Sequence, residues 1–152
     1  MERRIRLESE ADTRALARAL AGALPPGAVL VLRGPLGAGK TALVRHLARA
    51  LGFAGRVTSP SYTLMHVYPT PEGPLVHVDL YRLADPRQAE ALGLWEELAG
   101  ARLAAIEWGD PEAFPGALVV ELRPLGAAAR EARLRTEDPG LAGVLQRLAP
   151  PR

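Results

Sequence analysis

The stretch AVLVLRGPLGAGKTALVRHLARALG, residues 28–52, contains the features that decide the fold. Its first part, 28–33, is almost continuously apolar, which is typical of a central strand covered on both faces. The glycine-rich segment GPLGAGKT follows at 34–41, and the apolar residues of ALVRHLARALG then recur at helical spacing. Strand, glycine-rich turn and helix therefore follow one another directly.

The glycine-rich turn matches the phosphate-binding pattern G-x-x-x-x-G-K-[ST] in the strand-to-helix context that this pattern requires. The matching positions are Gly34, Gly39, Lys40 and Thr41. We expect the backbone N–H groups of residues 37–41, including those of Gly37 and Ala38, to converge on a phosphate. The partial positive charge of the helix N-terminus is directed at the same place. The motif therefore predicts a P-loop that binds a nucleotide.

Lys40 is the only lysine among the 19 basic residues, so one position of this arginine-rich chain requires an ammonium group. A compact point charge fits inside a phosphate-binding loop where a planar guanidinium would be crowded. We expect the Lys40 side chain to face solvent and to bridge the β- and γ-phosphates, as a catalytic residue. The hydroxyl group of Thr41 is the expected protein ligand of Mg²⁺.

Two acidic residues follow apolar strand patterns further along the chain. Asp79 ends LVHVD and Glu107 ends LAAIE, so both carboxylates are predicted at strand ends near the P-loop. Either carboxylate could ligate Mg²⁺ or orient the attacking water, and each could instead be a salt-bridged strand-end residue. His77, on the same strand face as Asp79, is expected to be structural rather than a catalytic base.

The remaining pattern predicts an α/β protein with one domain over residues 1–152. A capping box of Ser9 and Asp12 is expected to start the first helix. A hairpin of two strands is expected after the P-loop helix, and short helices are expected within 85–98. The predicted strands are 4–7, 28–33, 62–68, 75–83, 102–108, 117–124 and 129–136, and the other predicted helices are 11–24 and 139–148.

Composition excludes several classes of protein. The chain has no cysteine, which removes disulfides and thiolate chemistry, and its net charge is only +2. No apolar run approaches the roughly 18 residues that cross a bilayer, and the N-terminus has no apolar core of a signal peptide, so we expect a cytoplasmic protein without membrane contact. The N-K-x-D guanine-recognition motif is absent because the chain has no asparagine. A small-molecule kinase stays open, although no insertion resembles an arginine-rich lid.

The loop TSPSYT at 58–63 places several hydroxyl groups around a proline, after the P-loop helix. Nucleotide-sensing switch segments often occupy this position in P-loop proteins. The alternative is an ordinary turn. We expect it to couple the nucleotide state to a binding surface.

Four segments in this order, GPLGAGKT, VTSPSYTL, HVDLYRL and IEWGD, resemble the TsaE (YjeE) family of bacterial ATPases in tRNA threonylcarbamoyladenosine synthesis. The resemblance extends over nearly the whole chain. It implies a P-loop NTPase-like three-layer fold with a mixed parallel and antiparallel sheet, and an ATPase that uses ATP and Mg²⁺. It further implies partnership with the TsaD and TsaB proteins, an indirect connection to tRNA, and a cytoplasmic location.

The resemblance also implies roles for individual residues. The P-loop at 34–41 would bind ATP, Thr41 and Glu107 would ligate Mg²⁺, and Asp79 lies in the matching acidic motif. Thr13, assigned to the segment before the first helix, and Arg133 would lie near the nucleotide. Two alternatives remain open: a small-molecule kinase that uses the same P-loop, and a nucleotide-gated binding module whose hydrolysis is incidental.

Overall fold

The computed structural model describes residues 1–35, 37–58, 64–81 and 93–148, and the structural statements below concern these residues. The strands are β1 (Glu2–Leu7), β2 (Ala28–Arg33), β3 (Met65–Tyr68), β4 (Leu75–Asp79), β5 (Leu103–Glu107), β6 (Leu118–Pro124) and β7 (Arg130–Arg135). The helices are α1 (Glu10–Ala23), α2 (Lys40–Ala50), α3 (Leu94–Ala99) and α4 (Pro139–Arg147), with a 3₁₀ turn at Pro111–Ala113.

The described strands form one seven-stranded sheet in the order β1-β7-β6-β2-β5-β4-β3. Its centre is parallel, because β2 pairs in parallel with β5 and β6, and β4 pairs in parallel with β5. Its edges are antiparallel, because β3 pairs with β4, and β7 pairs with both β6 and β1. The expected α/β fold with a mixed sheet is confirmed.

Two apolar layers sandwich the sheet. The larger core lies between one face and helices α1, α2 and α4, where Leu20, Leu47 and Leu145 are buried. The smaller core covers the other face with Leu94 of α3 and Phe114. Alternation along β4 explains this division, because Leu75 belongs to the first core whereas its neighbour Val76 belongs to the second. The result is the expected three-layer arrangement.

The sheet register brings the ends of the central strands together. Asp79 at the end of β4 is directly opposite Glu107 at the end of β5, and Glu107 is opposite Leu32 of β2. Ligand sites of parallel α/β sheets form at the carboxyl ends of the strands. The P-loop, which leaves β2 at this edge, therefore lies beside both predicted carboxylates.

The start of the first helix differs from the sequence prediction. The helix begins at Glu10, so Thr13 lies within its first turns and not before it. Ser9 is the N-cap, but its side chain makes no capping hydrogen bond, and Asp12 Oδ2 accepts the N–H of Glu8 at 2.8 Å. The predicted capping box is therefore wrong, because the Asp12 carboxylate bonds the residue before the cap.

The other boundaries agree with the predictions to within a few residues, apart from two segments. Strand β4 ends at Asp79, four residues before the predicted end at 83. The backbone N–H of Tyr81 bonds the Asp79 side chain, so the chain turns there instead of continuing the ladder. Residues 82–92, which include most of the predicted short helices, lie outside the described residues. Among the described helices, none is long and apolar enough to cross a membrane.

Candidate functional site

The P-loop runs from β2 into α2 through two glycines in the left-handed region of φ. Gly34 has a φ of 142°, and a Cβ there would collide with the carbonyl oxygen of Leu122. Gly39, the N-cap of α2, has a φ of 102°, and a Cβ there would lie 2.8 Å from Cζ of Arg130. Both positions therefore favour glycine for conformation, and Gly34 also requires it for space. The first N–H groups of α2 have no partner within the helix, so they can bind an anion.

One backbone group of the loop is already engaged. The N–H of Ala38 donates to the carbonyl of Pro35 at 3.0 Å, which closes a turn inside the loop. Convergence of every N–H from Gly37 to Thr41 on a phosphate would require this bond to open. Leu36 lies outside the described residues.

Lys40 is buried, with 4% of its surface exposed, so the expectation that it faces solvent is wrong. Its Nζ atom donates to the carbonyls of Gly34 at 2.5 Å and Pro35 at 3.0 Å, and lies 4.2 Å from the centre of the Trp108 ring. A flexible stem allows the ammonium to turn back and satisfy its donors within the loop. Burial lowers the pKa of Lys40, and the charges of Glu107 and Asp79 oppose that shift.

Glu107 connects the P-loop to the neighbouring strand. The hydroxyl of Thr41 donates to its carboxylate, at 3.2 Å from Oε2 and 3.4 Å from Oε1. Nε2 of His77 lies 2.5 Å from Oε2 of Glu107, and since a carboxylate only accepts, this nitrogen carries the proton. Glu107 is 3% exposed and His77 is fully buried. His77 therefore fixes the carboxylate that faces the first turn of α2.

Asp79 lies beside this group without joining its hydrogen bonds. The side chain is 7% exposed, and Oδ1 accepts the N–H of Tyr81 at 2.9 Å. Its negative charge favours the protonated form of Lys40 and so opposes the lowering of the Lys40 pKa by burial. Asp79 is therefore near the loop, but the described hydrogen bonds link only Glu107 to Thr41.

Trp108 covers one side of the site from a strained backbone position. Its φ of 63° lies in the left-handed region, which is uncommon for a bulky residue and frequent at functional sites. The backbone N–H of Trp108 donates to the carbonyl of Leu32 at 3.0 Å, which holds this conformation. The ring lies against Lys40 and, at 4.8 Å between centroids, against the half-exposed Tyr81.

Arg130 is a residue of the site that sequence reasoning missed. Its guanidinium packs against Gly39, whereas Arg133 forms ion pairs with Glu2 and Glu121. Side chains alternate along a strand, so residues 130 and 133 of β7 lie on opposite faces of the sheet. Arg130 shares its face with Ala132, which belongs to the larger core on the helical side of the sheet that also contains residues of α2. The alternation of side chains along the predicted hairpin of β6 and β7 was the sequence feature from which Arg130 could have been recognised.

Thr13 and Arg133 are the two site residues implied only by resemblance. Thr13 is buried in α1, and its N–H bonds the carbonyl of Ser9 at 3.3 Å. Arg133 lines a groove of about 360 Å³ together with Gly34 and Pro35, the first residues of the P-loop. The described contacts bring neither residue to Thr41 or Glu107.

The oxygen atoms of Thr41 and Glu107 suit a hard cation that takes its remaining ligands from a bound nucleotide and water. Within the described ranges, no three His, Cys, Asp or Glu side chains form a cluster that could hold a metal alone. The Thr41 hydroxyl and the Glu107 carboxylate do provide oxygen atoms at hydrogen-bond distance of one another. Mg²⁺ prefers oxygen ligands and commonly takes one or two from protein and the rest from phosphates and water. The residues present therefore fit Mg²⁺ bound together with a nucleotide.

His77 should contribute measurably to stability through its bond to Glu107. Replacing His77 with leucine removes the shorter of the two hydrogen bonds to the buried Oε2 of Glu107, which costs about 1–3 kcal/mol. We expect urea unfolding of His77→Leu to show a loss in that range. His66→Leu is the matched control on β3, where the one partner of the histidine among the described residues is the neutral Tyr68 hydroxyl at 3.0 Å, and it should cost at most about 1 kcal/mol. Equal losses of unfolding free energy in the two variants would show that the bond from His77 to Glu107 stabilises the protein no more than the bond from His66 to Tyr68.

A glycine-rich loop between a parallel strand and a helix, with a carboxylate from the adjacent strand on its threonine, defines a P-loop nucleotide-binding protein. The family model described as "Threonylcarbamoyl adenosine biosynthesis protein TsaE" matches residues 7–132. The chain therefore belongs to the TsaE family, which acts in tRNA threonylcarbamoyladenosine biosynthesis.

Individual relatives agree with this assignment. A TsaE protein of Aquifex aeolicus is 38% identical over 130 residues, which cover 84% of this chain and 92% of the relative. A TsaE protein of Rickettsia bellii is 39% identical over 105 residues, which cover 68% of this chain and 72% of the relative. The crystal structure of Bacillus subtilis YdiB matches with a TM-score of 0.80 at 28% identity, covering 96% of this chain and 93% of that one.

Proposed function

We propose that this protein binds ATP with Mg²⁺ and hydrolyses it, and that hydrolysis supports tRNA threonylcarbamoyladenosine modification through a complex containing TsaD and TsaB. The family supplies the pathway. The observation that carries the ATPase proposal is the contact between the Thr41 hydroxyl of the P-loop and the buried Glu107 carboxylate. We take residues 1–152 to act as one domain in the cytoplasm.

The residues divide the chemistry between them. The N–H groups at the start of α2 bind the phosphates, and Lys40 exchanges the carbonyls of Gly34 and Pro35 for phosphate oxygens. Thr41 and Glu107 would hold Mg²⁺, which would supply positive charge to offset the charge of the phosphates. Because Glu107 is oriented by His77, its oxygen atoms are positioned before the nucleotide arrives.

Asp79 and Arg130 extend this arrangement. Asp79, directly opposite Glu107, orients the attacking water or completes the metal site. Water attacks the γ-phosphorus, the bond from that phosphorus to the bridging oxygen breaks, and ADP leaves with that oxygen, while inorganic phosphate keeps the water oxygen and the water proton passes to solvent. Arg130 packs against Gly39, so its guanidinium lies close enough to offset phosphate charge. The burial of Lys40 and Glu107 strengthens each of these electrostatic contacts.

The test is an assay of ATP hydrolysis with Mg²⁺, performed with the protein alone and with a TsaD–TsaB complex. We expect slow hydrolysis alone and faster hydrolysis with the complex. Transfer of labelled phosphate to a small molecule would instead support the kinase alternative. Binding of the complex without any hydrolysis would support a nucleotide-gated binding module, and no nucleotide binding would contradict the proposal.

The partner complex should distinguish the nucleotide states. We expect its affinity for the protein to differ by roughly 1–3 kcal/mol between ADP and a non-hydrolysable ATP analogue, the usual size of an allosteric coupling. The proposed switch is the loop at 58–63, of which residues 59–63 lie outside the described residues. The Tyr68 hydroxyl holds the backbone of Thr58, the residue before them. It accepts the N–H of Thr58 at 3.3 Å and donates to the carbonyl of Thr58 at 3.1 Å.

Binding is measured with ADP, with the analogue and without nucleotide, and is repeated with Ser59→Ala and Ser61→Ala. Both variants should reduce the difference between the nucleotide states if the loop couples them. Equal affinities of the unchanged protein in all three states would contradict nucleotide gating.

A further inference from the structure

A basic groove lies between α1 and α2, on the surface of the helical layer. Its volume is about 400 Å³. Four arginines line it, two from each helix at a spacing of four residues. They are Arg14 and Arg18 from α1, and Arg45 and Arg49 from α2. Residues four apart lie on one helix face, so each helix presents a row of two guanidinium groups to the groove. We refer to it as the α1–α2 groove.

The four guanidinium groups have no carboxylate partner within salt-bridge distance among the described residues. Glu10 is the one acidic residue that lines the groove, and its carboxylate is paired with Nε2 of His46 at 3.2 Å. Some exposed arginines elsewhere are paired with carboxylates, as Arg6 is with Glu8 and Arg123 with Glu131. The positive charge of the groove is therefore concentrated and uncompensated, although the whole chain carries only +2.

The chemistry of the lining favours a nucleic acid over a protein partner. Protein interfaces form around buried aromatic or aliphatic anchors, and the lining of this groove offers no apolar residue larger than Ala50. Nucleic-acid interfaces are more polar and far more positive, and their contacts are made largely to phosphates. Guanidinium groups bind phosphate through two parallel hydrogen bonds, which suits two rows of arginine facing a sugar–phosphate backbone.

We propose that the α1–α2 groove binds the phosphate backbone of an RNA. The choice of tRNA as the RNA rests on the family's role in tRNA modification. Sequence is not read by such contacts, because phosphates carry no base identity. The groove shares helix α2 with the P-loop, and Arg45 lies about one turn beyond Thr41. An RNA bound there would therefore contact the helix whose first turn holds the nucleotide.

The test measures binding of unfractionated tRNA to the full chain by fluorescence anisotropy over a series of salt concentrations, without nucleotide. The groove variant is Arg14→Gln combined with Arg49→Gln, one residue from each helix. The matched control is Arg6→Gln combined with Arg123→Gln, which removes the same charge from arginines already paired with carboxylates. We expect the groove variant to bind tRNA at least tenfold more weakly and the control to change less than twofold.

The salt dependence provides a second readout. Loss of two phosphate contacts should make the slope of log affinity against log salt shallower by about 1.5. Equal losses in the two double variants would overturn the proposal, because total charge alone would explain them. Unchanged tRNA binding in the groove variant would also overturn it. A parallel titration with polyglutamate tests an acidic protein as the occupant, and binding as tight as that of tRNA would assign the groove to such a partner.

Failure of this proposal is distinguishable from failure of the ATPase proposal. Since Arg14 and Arg49 lie outside the P-loop and no P-loop residue lines their groove, the groove variant should keep the basal ATPase rate of the unchanged protein. Loss of tRNA binding with unchanged hydrolysis supports the groove assignment. Absence of hydrolysis in every version of the protein would contradict the ATPase proposal and leave the tRNA-binding result intact.

Discussion

Replacing Lys40 with methionine is expected to weaken ATP binding by roughly a hundredfold, or about 3 kcal/mol, the upper range for a hydrogen bond to a charged group. Methionine keeps an unbranched apolar stem against Trp108 and removes the ammonium. In the structure that ammonium bonds the carbonyls of Gly34 and Pro35, so it is already at the base of the phosphate site. Titration calorimetry with Mg-ATP measures the loss.

Two controls separate binding from folding. Thermal unfolding of Lys40→Met reports whether removal of a buried ammonium destabilises the protein, because Glu107 and Asp79 lose a neighbouring positive charge. Lys40→Arg keeps that charge and should still impair activity, since a planar guanidinium cannot reproduce the geometry of an ammonium in the loop. A folded Lys40→Met protein with unchanged ATP affinity would contradict the P-loop assignment.

Replacing Glu107 with glutamine is expected to lower Mg²⁺-dependent ATP hydrolysis at least tenfold, or about 1.4 kcal/mol of transition-state stabilisation. Glutamine has nearly the same shape, but it replaces one carboxylate oxygen with an amide group and removes the negative charge. The Thr41 hydroxyl and Nε2 of His77 both bond this carboxylate, so its position is determined before any ligand binds. Nucleotide binding without Mg²⁺ should change much less.

Asp79→Asn tests the second carboxylate in the same assay, and we expect at least a tenfold loss there too. The concentration of Mg²⁺ needed for half-maximal hydrolysis distinguishes the two roles, because a metal ligand raises it whereas a group that orients water does not. Glu121→Gln is the matched control, since Glu121 pairs with Arg133 and the groove that it lines does not include Thr41. If either acidic variant hydrolyses ATP at the wild-type rate, the carboxylate that it lacks has only a structural role.

The central part of the site was predictable because it depends on patterns that are local in the chain. An apolar run, a glycine-rich turn and a helical period identified β2, the P-loop and α2 as one unit. The apolar strands that end in Asp79 and Glu107 were also recognisable, since a buried parallel strand has a distinctive composition. Parallel strands present their carboxyl ends at one edge, so the proximity of these residues to the loop followed from the fold class.

Other features depended on pairings between distant parts of the chain. The position of Arg130 beside Gly39 required the register of β7 against β6, because a shift of one residue would move its side chain to the other face of the sheet. The fixed position of Glu107 required the register of β4 against β5, which brings His77 within hydrogen-bond distance. The α1–α2 groove required two helices to pack side by side on the sheet.

The sequence by itself therefore determined the class of the fold, the phosphate-binding loop and the acidic residues that accompany it. Tertiary structure alone decided that Lys40 is buried against Trp108, that Arg130 packs on Gly39, and that four arginines share one groove. The physical reason is the separation along the chain of the residues that set each feature. Backbone conformation and hydrophobic periodicity are set by neighbours along the chain, whereas the partner of a side chain is set by which distant segments the sheet and helices bring together.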